Sequence, residues 1–315
     1  MNLKEVSDLT EDGARALLEK IRWPNGPACV HCGDVNVVKL AGKATRPGVY
    51  KCKSKGCRKQ FTVTVGTIFE SSHIELKLWL MAFAELVSAK KSVSAKELQR
   101  KLGLGSYQAA WHMAHRIRHA MRAEPLQALL RGDVESDEVW IGGKPRRRAK
   151  GDPRPRETMA EAAARKVPVI TMIQRDGKMR RKVLKRVTHA NIKAALLEAV
   201  DATKSRLLTD EAGAYKLVGM GFAGGHETVN HSQYEYARGL AHVNLCESSH
   251  ALVRRAMMGA WHQVSVKHLP RFMDEMEWHW NHRKQTASEA FTEAVKLTEG
   301  RRLKYADLIA DEPDA

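Results

Sequence analysis

The chain has 315 residues, enough for two or three domains with at least one sizeable hydrophobic core. Its hydrophobic content of 43% is normal for a globular protein. No segment approaches the roughly 20 apolar residues of a membrane helix, and the first residues lack the apolar core of a signal peptide. We therefore expect a cytoplasmic protein without a membrane partner. The formal net charge of +17 favours a polyanionic partner, with DNA, RNA or an anionic surface as the choices.

The N-terminal part of the chain is predicted to begin with an amphipathic helix over residues 4–22. A cysteine-rich segment over 28–65 follows, and it ends in Gln60–Val65, where apolar residues and Thr alternate with the period of a strand. Four of the five cysteines lie in this segment as two pairs, Cys29-x-x-Cys32 and Cys52-x-x-x-x-Cys57.

The spacing of these cysteines predicts a zinc site. Each pair can present two thiolates on one side of a tight turn, and two such turns complete a tetrahedral site with Cys29, Cys32, Cys52 and Cys57 as ligands. Four cysteine ligands leave no open coordination position, so we expect a structural Zn²⁺. A redox-active cysteine pair or unrelated buried cysteines are the alternatives.

A helical block is predicted after the ribbon. Ser72-x-x-Glu75 and Ser94-x-x-Glu97 have the spacing of the capping boxes that begin helices. The predicted helices span 74–87, 95–102 and 107–121.

The last two of these helices, joined by a tight turn at 103–105, are typical of a helix-turn-helix. The second has an apolar stripe that would hold it in place and polar side chains that would reach base edges. We expect it to contact DNA through Gln108, His112 and Arg116. An ordinary helical hairpin with a solvated basic face is the alternative.

The second half of the chain alternates strands and helices, which is typical of an α/β domain. Strands are predicted over 134–141, 167–173, 179–187 and 206–209, with helices over 190–201 and from about 244. The basic segment Lys144–Arg156, which contains three prolines, is expected to be an exposed loop between the first two strands.

Three acids occupy positions where chemistry is plausible. Asp137 lies inside a predicted strand, Asp210 ends another, and Glu247 lies near the start of a helix. Because side chains alternate along a strand, Glu135 shares the face of Asp137 and Glu138 points the other way. Taken singly, an acid at such a position is more often an exposed surface carboxylate than part of a site.

Several motifs, in order, resemble those of DDE transposases of bacterial insertion sequences, in the group with an N-terminal zinc ribbon. The resemblance runs from about Trp23 to Arg283. Its motifs are the ribbon, Gln60-Phe-x-Val63, Gly66-Thr-Ile-Phe69, Glu135-x-Asp-Glu138, Gly142-Gly143, Thr209-Asp210, His242-x-Asn244-x-x-Glu247, Gly259-x-x-His262-x-Val-Ser265 and Asn281-x-Arg283.

The resemblance implies a multidomain protein. It consists of an N-terminal helix and zinc ribbon over 1–66, a helix-turn-helix region over 67–125, and an α/β RNase H-like catalytic domain over 126–300, with a mixed sheet flanked by helices.

The resemblance also implies that Asp137, Asp210 and Glu247 form the catalytic triad and bind Mg²⁺ or Mn²⁺, with Asn244 as the alternative to Glu247. Members often carry Lys seven residues after the third acid, and here that residue is Arg254, which keeps the charge with a different geometry.

The expected activity is cleavage of DNA at the terminal inverted repeats of an element, followed by strand transfer. Arg147, Arg254 and Arg255 are expected to contact phosphates, and a homo-oligomer is expected on DNA because an element has two ends. Two alternatives stay open: a non-catalytic DNA-binding regulator derived from a transposase, and a nuclease without strand transfer.

Overall fold

The computed structural model describes residues 3–42, 45–122, 128–143, 158–210, 213–229, 237–239 and 241–310. They divide into two units, Met1–Arg122 with Lys284–Ala315, and Ala123–Arg283. The ribbon and the helical region, expected as separate domains, lie in one unit, and the second unit ends at Arg283, before the expected boundary at 300. In the described part of the chain, no helix is long and apolar enough to cross a bilayer.

The N-terminal unit begins with two helices where one was expected. Helix α1 spans Leu3–Ser7 and α2 spans Glu11–Arg22, because the Thr10 side chain accepts a hydrogen bond from the Gly13 amide and begins a new helix. Three short antiparallel strands follow in the order β1-β2-β3. Their bounds are Val37–Lys39, Tyr50–Cys52 and Gln60–Phe61. The predicted strand over 60–65 is shorter because turns begin at Thr62.

Helices α3, α4 and α5 of this unit lie close to their predicted positions, and two further helices, α11 and α12, were not predicted individually. Their bounds are α3 Leu76–Ser88, α4 Ala95–Leu102, α5 Tyr107–Met121, α11 Ala287–Lys296 and α12 Tyr305–Ile309. Ser94 and Ser106 cap α4 and α5. The predicted Ser72–Glu75 box does not form. The Glu11 carboxylate instead accepts from the first two amides of α3, those of Leu76 and Lys77, both at 3.0 Å.

The second unit contains a five-stranded mixed sheet in the order β6-β5-β4-β7-β8. Strands β4 and β5 are antiparallel, as are β5 and β6, whereas β4, β7 and β8 run parallel. Their bounds are β4 Leu130–Ile141, β5 Val167–Gln174, β6 Met179–Val183, β7 Val200–Asp210 and β8 His226–Val229. Strand β7 is longer than predicted, and β8 was not predicted.

Helices cover both faces of this sheet. Their bounds are α6 Met159–Ala164, α7 His189–Ala199, α8 Lys216–Gly219, α9 Asn244–Ala256 and α10 Leu269–Asn281, with a π-helical turn at Met257–Trp261. Even-numbered β4 residues such as Val134 pack with α7 and Tyr215, and odd-numbered ones such as Val139 pack with α9 and α10. The expected mixed sheet flanked by helices is confirmed.

Candidate functional site

The four predicted zinc ligands converge. The Sγ atoms of Cys29, Cys32, Cys52 and Cys57 all lie within 4.8 Å of one another. Two of the Sγ···Sγ distances, Cys29–Cys57 and Cys32–Cys52, are 3.7 Å. Four sulfurs about 2.3 Å from a tetrahedral zinc ion are separated by about 3.8 Å, so this arrangement fits a structural Zn²⁺.

Aromatic residues pack in one cluster with the cysteines of the ribbon. Trp23, Tyr50 and Phe61 contact one another with ring centroids 5.5–5.9 Å apart. The Tyr50 hydroxyl donates to the Glu19 carboxylate at 3.0 Å, which ties β2 to α2. The small sheet therefore has an aromatic cluster in addition to its cysteines, and the two together hold a segment that has little core of its own.

Two of the three candidate acids lie side by side in the large sheet. The parallel pairing of β4 with β7 sets Ser136 opposite Thr209, so Asp137 and Asp210 follow at the same level on adjacent strands. Alternation directs both toward the face covered by α9, because Val139 on that face packs with Val253 of α9. The sheet thus presents a pair of carboxylates beside this helix.

The third acid, Glu247, lies in the first turn of α9 and is exposed. One turn later, His250 Nδ1 lies 3.4 Å from the Asp137 carboxylate, and His250 Nε2 lies 3.1 Å from the Thr171 hydroxyl. Burial lowers the pKa of His250 more strongly than Asp137 raises it. A neutral imidazole that donates from Nδ1 to Asp137 and accepts from Thr171 satisfies both contacts.

The three acids are not gathered around one point. Among the residues that the structure describes, the only set of three or more Cys, His, Asp or Glu side chains arranged to hold an ion is the set of four cysteines. Asp137 and Asp210 share a face and a level, whereas Glu247 lies on the exposed flank of α9. Their carboxylate oxygens are the donor type that Mg²⁺ and Mn²⁺ prefer.

Glu138, next to Asp137, points to the opposite face. Its carboxylate accepts a hydrogen bond from the buried hydroxyl of Tyr215, which also lies 3.1 Å from the Ser136 hydroxyl. Burial, followed by the nearby charges of Asp137 and Asp210, raises the pKa of Glu138 to about 7, although the Tyr215 bond opposes the shift. A third carboxyl therefore lies close to the paired acids, and with this pKa it is about half protonated near neutral pH.

Glu135, on the same face as Asp137, is completely buried and belongs to a charged cluster. It accepts from Arg175 Nε at 3.0 Å and from the Leu245 amide of α9 at 2.8 Å, and it lies 3.3 Å from His242 Nδ1. Arg175 Nη2 is also 3.1 Å from His242 Nδ1 and donates to the His242 carbonyl at 3.2 Å. The cluster connects β4, the end of β5 and the start of α9.

The predicted DNA-contacting residues of α5 differ in their accessibility. Gln108 is exposed and donates to the Tyr305 hydroxyl at 2.6 Å, and the half-buried His112 ring contacts the Tyr305 ring at 5.3 Å. Arg116 is only 5% exposed, donates to the Glu70 carbonyl and lies over the Trp79 ring. Arg116 is therefore part of the interior of this unit, and its predicted contact with DNA does not fit the structure.

The remaining predicted contacts lie in the second unit. Arg254 and Arg255 are exposed in the last turn of α9, on the helix that carries Glu247. Arg147 lies outside the described residues, as does the whole of the predicted basic loop Lys144–Arg156. Asn281 has a structural role, because its amide bonds both backbone groups of Met179 in β6.

Sequence reasoning missed His250 and Tyr215. Neither belongs to a spacing pattern, and each reaches its partners across 77 or more positions in the chain: Tyr215 contacts Ser136 and Glu138, and His250 contacts Thr171 and Asp137. The only local signal was a histidine three residues after Glu247, on the same side of a predicted helix.

Comparisons with known proteins match both units. A family model described as the ISXO2-like transposase domain matches residues 129–281, and one described as a transposase zinc-ribbon domain matches residues 9–60. A protein of the transposable element ISH50 from Halobacterium salinarum, described as uncharacterized, is 30% identical over 257 residues. The match covers 78% of this chain and 83% of the relative.

Among solved structures, the chain is similar to a Mos1 transposase paired-end complex with the left transposon end, at 15% identity and a TM-score of 0.29. That match covers 69% of this chain and 80% of the other. A pre-cleavage Mos1 transpososome matches at 14% identity and a TM-score of 0.28, over 96% and 99% of the two chains. At these values the likeness adds nothing to the family assignment, which depends on the sequence matches.

Proposed function

The chain belongs to the ISXO2-like transposase family with an N-terminal zinc ribbon, and from this premise we propose that it cleaves DNA at the ends of a mobile element and joins those ends to target DNA. The observation that carries the proposal is the pair of carboxylates, Asp137 and Asp210, level with each other on adjacent parallel strands under α9. A regulator that only binds DNA has no need of paired acids on one face of a sheet.

The proposed site takes Mg²⁺ or Mn²⁺, held by Asp137 and Asp210 from the sheet and by Glu247 from α9. Bound divalent cations supply the charge that activates a water or a 3′-hydroxyl for in-line attack and stabilises the leaving oxygen. His250 orients the Asp137 carboxylate through its ring nitrogen. Glu247, exposed in the first turn of α9, has to turn toward β4 to join the other two acids.

DNA binding is proposed to involve both units. The net charge of +17 provides a salt-sensitive attraction for phosphates. Arg254 and Arg255 lie exposed on the helix that carries Glu247, so they are well placed to neutralise phosphates beside the reacting bond. In the N-terminal unit, Gln108 and His112 of α5 are the proposed base contacts. Because an element has two ends, we propose a homo-oligomer on DNA, acting in the cytoplasm.

The test uses a labelled duplex with the inverted repeat that flanks the reading frame, a target plasmid and Mg²⁺ or Mn²⁺. The wild-type protein should give both cleaved ends and joined products. Asp137→Asn, Asp210→Asn and Glu247→Gln should each bind the duplex and lose at least about 100-fold in both products, since loss of a residue that only supports a ligand already costs 10–100-fold.

Asp201→Asn is the matched control, because Asp201 lies at the opposite end of β7, where it pairs with Arg131. This variant should retain the wild-type yield. Cleaved ends without joined products would indicate a nuclease without strand transfer. Sequence-specific binding with no cleavage under any metal condition would favour the regulator and contradict the proposal.

A further inference from the structure

We propose that Glu135 is a positioning residue that fixes the helix bearing Glu247 to the strand bearing Asp137, and so sets the geometry of the metal site. This inference rests on the proposed function. It concerns a completely buried residue that acts through its neighbours.

Glu135 lies on the strand that carries Asp137 and is hydrogen-bonded to the helix that carries Glu247. Asp137 is two residues further along β4 and therefore lies on the same face, about 6.6 Å away along the strand. Glu135 also accepts from the amide of Leu245, and Glu247 is two residues further along α9, about 3 Å along the helix axis. A single hydrogen bond of 2.8 Å therefore joins Glu135, two residues before Asp137, to Leu245, two residues before Glu247.

The connection between β4 and α9 is strong because it is buried and fully hydrogen-bonded. The Glu135 side chain is 0% exposed, and each of its oxygens has a partner: Oε1 accepts from Arg175 Nε, and Oε2 accepts from the Leu245 amide. A buried carboxylate without partners is strongly disfavoured, so the cluster is stable only while α9 stays against β4. Arg175 adds a second connection, because it donates to the carbonyl of His242 just before the helix.

A carboxylate at this position constrains the helix in a way that apolar packing does not. Apolar packing between α9 and the sheet, as at Val253 and Val139, holds the helix down but permits small sliding motions. A charge-assisted hydrogen bond to a backbone amide has a defined length and direction, so it fixes the helix along its axis. Metal ligands on two different elements need that constraint, because ligand distances must be met within a few tenths of an ångström.

The experiment compares Glu135→Gln with Glu277→Gln in the full-length chain. Glu277 is a matched control: it is also a buried carboxylate that joins a helix to a strand, accepting from Arg180 Nη1 at 3.2 Å and from the Arg181 amide at 2.8 Å. Its helix, α10, carries none of the candidate acids. Mn²⁺ affinity is measured by electron paramagnetic resonance without DNA, with Asp137→Asn as the background.

Glu135→Gln should weaken Mn²⁺ binding by about 10–100-fold, the usual effect of losing a residue that supports a metal ligand. It should also speed hydrogen–deuterium exchange at the first amides of α9. Glu277→Gln should lower thermal stability while its Mn²⁺ affinity stays within about 2-fold of wild type, because it perturbs a helix without a ligand. The double variant Glu135→Gln/Arg175→Met leaves no unpaired buried charge and should fold yet still bind Mn²⁺ weakly.

The results separate the two proposals. Wild-type Mn²⁺ affinity in a folded Glu135→Gln or double variant, or an equal loss in Glu277→Gln, would overturn the positioning role while leaving the proposed function intact. A wild-type chain whose Mn²⁺ binding equals that of Asp137→Asn would overturn the proposed metal site, and the positioning role with it.

Discussion

Four consecutive residues of β4 divide their side chains between two environments. Glu135 and Asp137 face α9, while Ser136 and Glu138 face Tyr215. Alternation along a strand allowed this division to be predicted from the sequence once the strand was recognised. The contacts with Tyr215 and His250 could not be predicted, because they depend on how distant elements pack, and no periodicity in one segment encodes them.

The raised pKa of Glu138 predicts a pH-dependent stability. In the unfolded chain this carboxyl ionises near its usual value of 4.5, and in the folded protein near 7. Its contribution is therefore complete below about pH 4.5 and is lost as the pH rises to about 7. Glu138→Gln cannot ionise, so its melting temperature relative to wild type should rise across this window. Scanning calorimetry without added divalent cations measures the difference.

Asp133→Asn is the control with the opposite sign. The hydrogen bonds from Arg206 lower the pKa of Asp133, so its contribution is present above its usual value of 3.8 and is lost at lower pH. The deficit of this variant should be constant from pH 4.5 to 7 and should shrink only below that range. A flat or falling difference for Glu138→Gln in the same window would contradict the prediction.

At the scale of elements, most helices could be predicted because their start signals are local. Ser94 and Ser106 cap the helices that follow them directly in the sequence. Helix α3 differs, because its cap is Glu11, 65 positions earlier. A similar limit explains β8, a four-residue edge strand whose pairing with β7 has no signature of its own. Features that depend on contacts between distant elements, such as the cap of α3 and the strand β8, could therefore not be predicted from the sequence.

The long-range cap of α3 can be tested by Glu11→Ala. Loss of two hydrogen bonds to the amides of Leu76 and Lys77 should lower the free energy of unfolding of the N-terminal unit by about 1–2 kcal/mol, as for other helix caps. Urea denaturation followed by circular dichroism measures the change. Asp12→Ala is the matched control, since the neighbouring Asp12 is 82% exposed and pairs with Arg15 on the surface of its own helix; its effect should stay within about 0.5 kcal/mol. Equal effects would argue against the cap.

At the scale of the whole molecule, the chain builds its two units by different means. The second unit has hydrophobic cores on both faces of a five-stranded sheet. The ribbon in the first unit has three strands of two or three residues and a small aromatic cluster around its cysteines. The spacing of the cysteines was sufficient to predict the ribbon. The inclusion of α11 and α12 in the same unit could not be predicted, because it depends on tertiary contacts such as that between Gln108 and Tyr305.

This difference predicts the response to loss of zinc. Cys52→Ser should abolish bound zinc and lower the melting temperature of the N-terminal unit, with the second unit unaffected, because each unit has its own core. Cys246→Ser is the control: this fifth cysteine is buried in α9 of the second unit and is not one of the four converging cysteines, so its variant should retain wild-type zinc. Atomic emission and calorimetry measure both quantities. Wild-type zinc content in Cys52→Ser would contradict the assignment of the ribbon ligands.

The central position of β4 has a consequence for how this sequence can change. Because Val134–Ile141 pairs with β5 along its whole length and Val134–Ser136 also pairs with β7, inserting or deleting one residue there would exchange the two faces of the strand. Asp137, the acid next to His250, would then be turned toward the face packed by α7 and Tyr215, and Ser136 or Glu138 would take its place. Related sequences should therefore accumulate length differences between the strands, while this stretch keeps a constant number of residues even where its side chains differ.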